Sequence, residues 1–265
     1  MDELRTNGPG GNEQDEFDRI AGRYELYVPW EPRLAREIPF LEEQLSSVGA
    51  RRVIDCACGP GRHAASLAQK KFKVTGLDVS PEMLERARNH AREMSVEIEL
   101  IEGRFESLPK ELHGQFDGLL CLGNALSAAD DETTVKNVVG EFARALKPGG
   151  VAVTQTVDFK VVAPDRVKAA PARAIQDAGK EFVFVKSFVR VDDRVFIHWV
   201  SLERKGDQWD SDVSCREVTS IEPDFLIGAF SEAGFSSVIA YGDYDGNPFE
   251  HGKSRDLILV ARRSE

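Results

Sequence analysis

The sequence has few of the features that mark disulfide-stabilised, membrane-spanning or nucleic-acid-binding proteins. Only four of its 265 residues are cysteines, too few for a disulfide framework in a chain of this length. No stretch approaches the run of about 20 apolar residues that a membrane helix needs. The formal net charge of −11 disfavours binding to nucleic acids and to anionic membranes, which attract basic surfaces. These absences favour a cytoplasmic globular protein.

The first 50 residues predict a polar tail followed by helices. The start, MDELRTNGPGGNEQDE, lacks the basic end and apolar core of a secretory signal, and we expect residues 1–16 to be disordered. Aromatic and charged residues follow in a helical pattern over residues 17–50. Pro29 and Pro32 divide this pattern into two helices with a joint near residues 28–32.

Strands and helices then alternate five times. The strand patterns are RRVIDCAC, FKVTGLDVS, VEIELIEG, FDGLLCLGN and VAVTQTV, at residues 51–58, 72–80, 96–103, 116–124 and 151–157. The third alternates acidic and apolar residues, as expected at a sheet edge, whereas the nearly apolar fourth predicts a central strand. Ser80-Pro81-Glu82 predicts a capped helix start. The alternation predicts an α/β fold with a doubly wound parallel sheet.

Residues 158–220 interrupt this alternation. Prolines and alanines over residues 158–180 predict loops or a short helix, and the segments EFVFVKSFVRV, DRVFIHWVSLERK and DSDVSCREVTSI predict antiparallel strands. A helix over 222–233 and strands near 237–241 and 256–263 follow.

We therefore interpret residues 158–220 as an antiparallel β cap inserted into an α/β domain. That domain comprises residues 51–157 and 221–265, preceded by the helical residues 17–50.

The stretch VIDCACGPGRHA, residues 53–64, admits two interpretations. A structural zinc site needs four ligands, usually in two separated pairs, and the Cys-x-Cys spacing of Cys56 and Cys58 has no second pair. A glycine pair between a strand and a helix instead lets the backbone approach a ligand. Asp78 ends the next strand 17 residues after Gly61, where a carboxylate can accept both hydroxyls of a ribose. The third glycine of a dinucleotide loop is missing. We therefore expect a nucleoside-containing cofactor other than NAD, and no metal.

The ordered motifs resemble those of class I S-adenosylmethionine-dependent methyltransferases. VIDCACGPG is similar to their first motif, VTGLDVSPEML to their second and FDGLLCLGN to their fourth, and LKPGG is typical before their fifth strand. The resemblance covers residues 17–157 and resumes at 222–263. CLGNALS, YELYVPWEPRLAREIPF and YGDYDGNPF with KSRDLILVARR further resemble the glycine/sarcosine N-methyltransferase branch. The family implies a Rossmann-like fold that binds S-adenosylmethionine and releases S-adenosylhomocysteine.

This resemblance implies a cofactor site along the carboxyl edge of the sheet. The backbone of residues 57–61 would wrap the methionine part of the cofactor, and Asp78 would hold its ribose. Asp55 would lie near the cofactor amino group, unless it caps the following helix. Val79 and Met83 would flank the adenine, although Met83 suits a helix core equally well. The full set expected at the cofactor is Tyr24, Tyr27, Arg33, Asp55, Ala57, Cys58, Gly59, Gly61, Asp78, Val79, Met83, Arg104, Phe105, Leu122, Gly123 and Asn124.

Two positions depart from the family pattern. Arg104 stands where relatives often carry an acid for the adenine amino group, so the backbone of Arg104 and Phe105, or the side chain of Glu106, would take over that contact. Ala128 stands where the glycine-type enzymes usually show a histidine. This second departure leaves the cofactor unaffected and puts the glycine-type acceptor in doubt.

The lid and acceptor residues each have a plainer alternative. The aromatic residues of 17–50 would form a lid with an arginine on the cofactor carboxylate, or would simply pack on the sheet, and Arg36 suits the arginine role as well as Arg33 does. The residues expected to bind the acceptor are Trp30, Asn124, Arg216 and Tyr244, of which Arg216 is otherwise a surface residue and Tyr244 part of a turn. The residues expected to be solvated are His63, His113, His251 and Asp117, whereas His198 is expected to be structural.

These patterns predict methyl transfer to a small molecule, with an amine nitrogen as the acceptor. The alternatives are an O-methyltransferase for a sugar or natural product and a non-catalytic sensor of S-adenosylmethionine. The sequence names no general base and leaves the oligomeric state open.

Overall fold

The computed structural model describes residues 13–163, 166–192 and 194–265, with side chains from Phe17 onward. Two β-sheets organise these residues, one of seven strands and one of five. The elements, in chain order, are α1 (Glu13–Tyr27), α2 (Trp30–Ser46), β1 (Arg52–Cys56), α3 (Arg62–Gln69), β2 (Lys73–Asp78), α4 (Pro81–Glu93), β3 (Glu99–Glu102), β4 (Phe116–Cys121), α5 (Glu132–Ala145), β5 (Leu146–Val157), α6 (Phe159–Val162), β6 (Val167–Ala169), β7 (Arg173–Asp177), β8 (Lys180–Val191), β9 (Arg194–Lys205), β10 (Gln208–Val218), α7 (Pro223–Glu232), β11 (Phe235–Tyr241) and β12 (Asp256–Arg263).

The seven-stranded sheet has the strand order β11-β12-β5-β4-β1-β2-β3. Strands β1 to β5 are parallel to one another, whereas β12 pairs antiparallel with both β5 and β11. The expected edge position of β3 and central position of β4 are confirmed. The predicted Rossmann-like α/β fold with an antiparallel β cap is also confirmed, with one antiparallel strand in an otherwise parallel sheet.

Helices cover both faces of this sheet, so its strands are apolar on both sides. On one face α5 and α7 pack against Ile54, Leu119 and Leu259. On the other, α2 and α3 pack against Val53, Leu120 and their neighbours. Alternate residues of one strand therefore enter different cores, which explains why β1 and β4 are continuous apolar runs in the sequence.

The N-terminal helices meet at Val28 and Pro29, within the predicted joint. The first helix begins at Glu13, four residues before its predicted start, and the rest of the predicted tail lies outside the described residues. Within residues 13–163, 166–192 and 194–265, no helix combines the length and apolar character needed to cross a membrane. The start of α4 is as predicted, since the Ser80 hydroxyl accepts a hydrogen bond from the Met83 N–H at 3.1 Å.

The five-stranded sheet is antiparallel, in the order β10-β9-β8-β6 with β7 also paired to β8. Loops or a short helix were expected in residues 158–180. The short helix is present as α6, whereas two short strands, β6 and β7, follow where only loops were expected. The two strands span three and five residues and are largely exposed, and so they lack the apolar alternation that identifies a strand. Helix α1 is joined to β10 by ion pairs of Arg19 and Arg23 with Asp212.

Candidate functional site

A cavity of about 810 Å³ lies between the carboxyl edge of the seven-stranded sheet, helices α1 and α2, and one face of the five-stranded sheet. Open α/β sheets bind ligands in such a crevice. The predicted site residues on its wall are Tyr24, Tyr27, Arg33, Ala57, Gly59, Asp78, Val79, Met83, Arg104, Phe105, Leu122, Gly123, Asn124, Arg216 and Tyr244. The predicted residues Trp30, Asp55, Cys58 and Gly61 are not part of the wall.

The loop after β1 alternates between left-handed and ordinary backbone. Ala57, Gly59 and Gly61 have φ angles of 59°, 54° and 69°. A Cβ atom at Gly61 would lie 2.6 Å from the Cβ of Ala87, so only glycine lets α3 approach α4 this closely. At Gly59 the same atom would meet nothing within 4 Å, because this position opens onto the cavity. Ala57 holds a left-handed conformation that favours glycine.

Asp78 joins this loop to the end of β2. Its carboxylate accepts the backbone N–H of Gly59 at 2.7 Å and that of Ser80 at 3.0 Å. The side chain is buried against protein but still forms part of the cavity wall. Because a carboxylate can accept about four hydrogen bonds, these two bonds are compatible with further donors from a ligand.

Asp55 lies behind the cavity wall, one residue before the carboxyl end of β1. It is only 2% exposed, and its Oδ2 atom has no hydrogen-bond partner among the described residues. Burial and the nearby Asp78 carboxylate raise the pKa of Asp55 to about 7. The alternative role as a helix cap is wrong, because α3 begins at Arg62 with Gly61 as its N-cap and without a side-chain cap hydrogen bond.

The cysteines near the loop are buried thiols. Cys56, Cys58 and Cys121 are each at most 7% exposed, and burial raises the pKa of all three. Thiols in such surroundings act as small apolar side chains. Among the residues described, no group of three or more potential ligands could hold a metal ion.

A buried ionic network positions Arg33. Its Nε donates to both carboxylate oxygens of Glu37, at 3.0 and 3.1 Å, and His63 Nε2 lies 2.6 Å from Glu37 Oε2. Burial raises the pKa of Glu37, but the hydrogen bonds from His63 and Arg33 outweigh it and the net shift is downward. Burial lowers the pKa of His63, so a neutral His63 donates to the ionised Glu37. The expectation of a solvated His63 is wrong: the ring is 6% exposed.

Trp30 supports this network from outside the cavity. Its ring meets the His63 ring edge to face at 6.0 Å, and the guanidinium carbon of Arg33 lies 5.3 Å from its centroid. Trp30 therefore packs against Arg33 and His63 and is not part of the cavity wall, and its acceptor-binding role stays a prediction. A Cβ atom added at Gly123 would lie 3.6 Å from Nη2 of Arg33, so the guanidinium lies beside the Gly123 backbone.

Helix α1 is tied to the loop through Glu25. The carboxylate pairs with Arg62, with Arg86 at 3.1 Å and with His90 at 2.5 Å, and His90 Nδ1 donates to the Pro60 carbonyl at 2.7 Å. Burial raises the pKa of Glu25, but hydrogen bonds from His90 and Arg62 outweigh it and lower the pKa to about 2. Neither Glu25 nor Glu37 was predicted from the sequence, where the only local signal was the i, i+4 spacing of Arg33 and Glu37.

Asn124 stabilises the ends of β4 and β5. Its Oδ1 accepts the Val157 N–H at 2.8 Å and the Ser127 hydroxyl at 2.9 Å, and its own N–H donates to Gln155 Oε1 at 3.0 Å. The side-chain oxygen is thus committed to the protein. Gly123 and Asn124 both have left-handed backbone, with φ of 68° and 66°, which bends the chain across the cavity wall.

The five-stranded sheet contributes the opposite wall. Trp199 and Arg216 lie on it, and Tyr244 approaches from the loop before β12. The Trp199 Nε1 and Tyr244 Oη atoms are buried without a hydrogen-bond partner in the described part of the chain. Three further residues of this region, Lys186, Arg255 and Asp256, were not predicted from the sequence. The other histidines have minor roles: His251 is exposed and His113 lies 3.3 Å from Glu141.

S-adenosylmethionine fits this set of residues. Gly59 leaves open space beside the loop, and Asp78 offers a carboxylate at the end of β2. Arg33 brings a cation to Gly123, and the Oδ2 atom of Asp55 behind the wall lacks a partner. The ribose hydroxyls and the amino group of the cofactor can donate hydrogen bonds to carboxylates. Its own carboxylate can pair with a guanidinium.

Comparisons with known proteins agree with this geometry. A family model described as a methyltransferase domain matches residues 53–150. A glycine/sarcosine N-methyltransferase of Parasynechococcus marenigrum (strain WH8102) is 26% identical over 232 residues, which are 88% of this chain and 79% of that protein. A ubiquinone biosynthesis O-methyltransferase of Xanthomonas oryzae pv. oryzae (strain PXO99A) is 31% identical over 176 residues, 65% of this chain and 68% of that protein.

The fold has solved counterparts along its whole length. The sugar N-methyltransferase KedS8 from Streptoalloteichus sp. ATCC 53650 superimposes with a TM-score of 0.73 at 20% identity, over 100% of this chain and 99% of that one. Family match, relatives and fold agree with the motifs and with the cavity. The chain therefore belongs to the class I S-adenosylmethionine-dependent methyltransferases, and it is an enzyme whose cofactor is S-adenosylmethionine.

Proposed function

We propose that this enzyme methylates the nitrogen of a small amine that carries a carboxylate, of the glycine or sarcosine type. The observation that carries the proposal is the wall opposite the sheet edge, where Trp199, Tyr244 and the cationic side chains of Lys186, Arg216 and Arg255 line one cavity. The relative from Parasynechococcus is a glycine/sarcosine N-methyltransferase, and this chain matches 79% of its length. This similarity supports the same class of acceptor.

Different residues of the site would bind different parts of the cofactor. The loop at residues 57–61 holds the methionine part, Asp78 the ribose hydroxyls, and Val79 with Met83 the adenine. Arg33, aligned by Glu37, pairs with the cofactor carboxylate. These assignments are supported by the position of each group on one continuous wall and by the charge of Arg33 and Asp78.

The acceptor would lie between Gly123 and the five-stranded sheet. Tyr244 Oη and Trp199 Nε1 offer donors that no described residue accepts from, and Arg216 and Arg255 add positive charge to the wall. A carboxylate accepts from such donors and pairs with such cations. Helices α1 and α2 would act as the lid and residues 158–220 as the acceptor cap, since both contribute cavity wall.

The chain's contribution to catalysis would be chiefly positioning and water exclusion. When bound, S-adenosylmethionine supplies an electrophilic methyl group on a sulfonium centre. The residues at Leu122 and Gly123 and those of the cap hold the acceptor nitrogen in line with that methyl. Such alignment in a closed, dry site can account for much of the rate enhancement.

Oxygen methylation is the second candidate function. It is supported by the ubiquinone biosynthesis O-methyltransferase, which is 31% identical to this chain. The cap that would select the acceptor, residues 158–220, lies entirely outside residues 53–150, the part matched by the family model. An O-methyltransferase would use the same cofactor wall with a hydroxyl acceptor.

A screen of acceptors distinguishes the two functions. Purified enzyme with methyl-labelled S-adenosylmethionine is offered glycine, sarcosine, an amino sugar, a catechol and a neutral sugar. Release of S-adenosylhomocysteine and the mass of the methylated product are measured for each. Methylation of glycine or sarcosine at nitrogen is expected. Methylation of the catechol or the neutral sugar alone would overturn the proposed function.

A further inference from the structure

Lys186 projects from the five-stranded sheet into the wall of the cavity. It lies in the middle of β8, opposite Trp199 of β9, and its Nζ atom is 5.2 Å from the centroid of the Phe188 ring. Phe188 and Trp199 also belong to the wall. The ammonium-bearing end of Lys186 therefore sits among aromatic surfaces rather than in bulk solvent.

The charges that act on Lys186 are those of two cations. Arg255 precedes β12, and Arg33 lies beside Gly123, the end of β4 where the transferable methyl is expected. In the part of the chain that the structure describes, no carboxylate forms an ion pair with Lys186. The other charged or titratable groups that the elements around Lys186 bring to the cavity wall are Tyr24 and Tyr27 of α1, Arg36 and Glu37 of α2, Arg173 of β7, Arg216 of β10 and Asp256 of β12.

The two acids among these groups are already engaged. Glu37 accepts hydrogen bonds from Arg33 Nε at 3.0 and 3.1 Å. Asp256 accepts a hydrogen bond from Gln155 Nε2 at 2.8 Å. Burial lowers the pKa of Lys186, and the neighbouring arginine charges lower it further, to about 8. A lysine in this setting is present in part as the neutral amine near neutral pH, and a neutral amine accepts a proton, which an arginine at the same place cannot do.

We propose that Lys186 is the general base of the reaction, taking the proton from the acceptor nitrogen. This inference rests on the amine acceptor proposed above. It supplies a role that the arginines of the wall cannot perform, because a guanidinium stays protonated. The small amine would arrive as an ammonium ion, which has no lone pair with which to attack.

The proton and electron balance is simple. The neutral Lys186 amine takes one proton from the acceptor ammonium and becomes an ammonium itself, leaving the acceptor nitrogen with a lone pair. That lone pair forms the new bond to the methyl carbon, while the carbon–sulfur bond breaks and its electrons stay on sulfur. The products are a methylated ammonium and a neutral thioether. Lys186 then loses its proton to solvent when the cavity opens.

Two variants separate a base from an anchor for an anion. Lys186→Arg keeps the positive charge but cannot accept a proton, whereas Lys186→Met removes both. With sarcosine as the acceptor, we expect kcat to fall at least about 100-fold in both variants, in the range typical of lost acid–base catalysis, with KM for sarcosine changed only a few-fold. The matched control is Lys180→Met on the same strand, where the lysine is exposed and pairs with Glu203 at 2.8 Å.

The pH profile gives a signature that a structural role would not produce. In the wild type, kcat/KM should rise with pH through a value near 8, and in Lys186→Arg this rise should move to the pKa of the free amine. A Lys186→Arg enzyme with wild-type kcat and profile would overturn the proposal and make Lys186 an anchor for the acceptor carboxylate. Wild-type behaviour of both variants would overturn it as well.

A second measurement does not depend on the acceptor. Lysines labelled by reductive ¹³C-methylation are titrated by NMR with S-adenosylhomocysteine bound, and the signal absent from Lys186→Arg is assigned to Lys186. A midpoint near 8 supports the proposal, and a midpoint above about 10, the ordinary lysine value, overturns it. If neither glycine nor sarcosine is methylated, the proposed acceptor fails, and this titration then decides about Lys186 by itself.

Discussion

The carboxylate of Asp78 accepts a hydrogen bond from the backbone N–H of Gly59 at 2.7 Å. This single contact joins the end of β2 to the loop after β1, the two segments that carry the first two sequence motifs. The residue expected to hold the ribose therefore also fixes the loop expected to hold the methionine part. Because the Ser80 N–H is bonded to the same carboxylate, the start of α4 belongs to this unit too.

Replacing Asp78 should weaken both the cofactor site and the fold. Asp78→Asn keeps one acceptor oxygen and loses the charge, so we expect the affinity for S-adenosylhomocysteine to fall at least about tenfold, which corresponds to about 1.4 kcal/mol. The free energy of unfolding should fall by about 1–3 kcal/mol, because a backbone N–H loses its acceptor. Calorimetric titration and urea denaturation measure the two effects.

The matched control is Asp207→Asn, in the exposed turn between β9 and β10. This variant should bind S-adenosylhomocysteine and unfold like the wild type. Wild-type affinity in Asp78→Asn would show that the ribose does not lie at the end of β2.

Glu37→Gln should disconnect Arg33 from His63. The change leaves a buried guanidinium without its counter-charge, so we expect the free energy of unfolding to fall by about 3 kcal/mol and S-adenosylhomocysteine to bind more weakly. Glu42 on the same helix pairs with Lys70 in an exposed position at 2.8 Å. Glu42→Gln should therefore cost less than about 1 kcal/mol. Equal losses in the two variants would contradict the role of the buried network.

The raised pKa of Asp55 predicts a pH dependence of stability. The pKa is about 7 in the folded protein against 3.8 as the ordinary value, so the folded state binds more protons than the unfolded state between these values. The stabilising contribution is complete below about pH 4 and is lost as the pH rises through 7. We expect the wild type to lose at least about 1 kcal/mol relative to Asp55→Asn between pH 5 and pH 8. Parallel urea-denaturation curves for the two proteins across this range would refute the assignment.

Ala57→Gly should preserve or increase stability. A left-handed alanine costs about 1–2 kcal/mol, whereas the greater flexibility of an unfolded glycine costs about 0.5–1 kcal/mol, so the net gain should be up to about 1 kcal/mol. Ala68→Gly in α3, where the backbone is an ordinary helix, should instead lower the free energy of unfolding by about 1 kcal/mol. Urea denaturation of both variants measures the two free energies of unfolding. A clear loss of stability in Ala57→Gly would contradict backbone strain at Ala57.

The features predicted well from the sequence are those set by local pattern. The order of strands β1 to β5, the capped start of α4 at Ser80 and the glycine loop each depend on residues close together in the chain. Asp78 was identified for the same reason, because the carboxyl ends of neighbouring parallel strands meet at one edge of a sheet.

The features that were missed depend on contacts between distant segments. The expectation of a solvated Asp117 is wrong, because its carboxylate accepts the N–H groups of Arg51 and Arg52 and pairs with Lys147 at 2.6 Å. His63 is buried only because α2 brings Glu37 against it. Lys186 is one of many lysines in the sequence, and only the packing of the two sheets places it at the cavity.

Calorimetric titration of the wild-type enzyme tests the central claim most directly. The account predicts that S-adenosylhomocysteine binds at one site per chain, that S-adenosylmethionine competes for it, and that NAD gives no binding heat because the loop at residues 57–61 lacks the third glycine of a dinucleotide site. Tight binding of NAD without binding of S-adenosylhomocysteine would contradict the account.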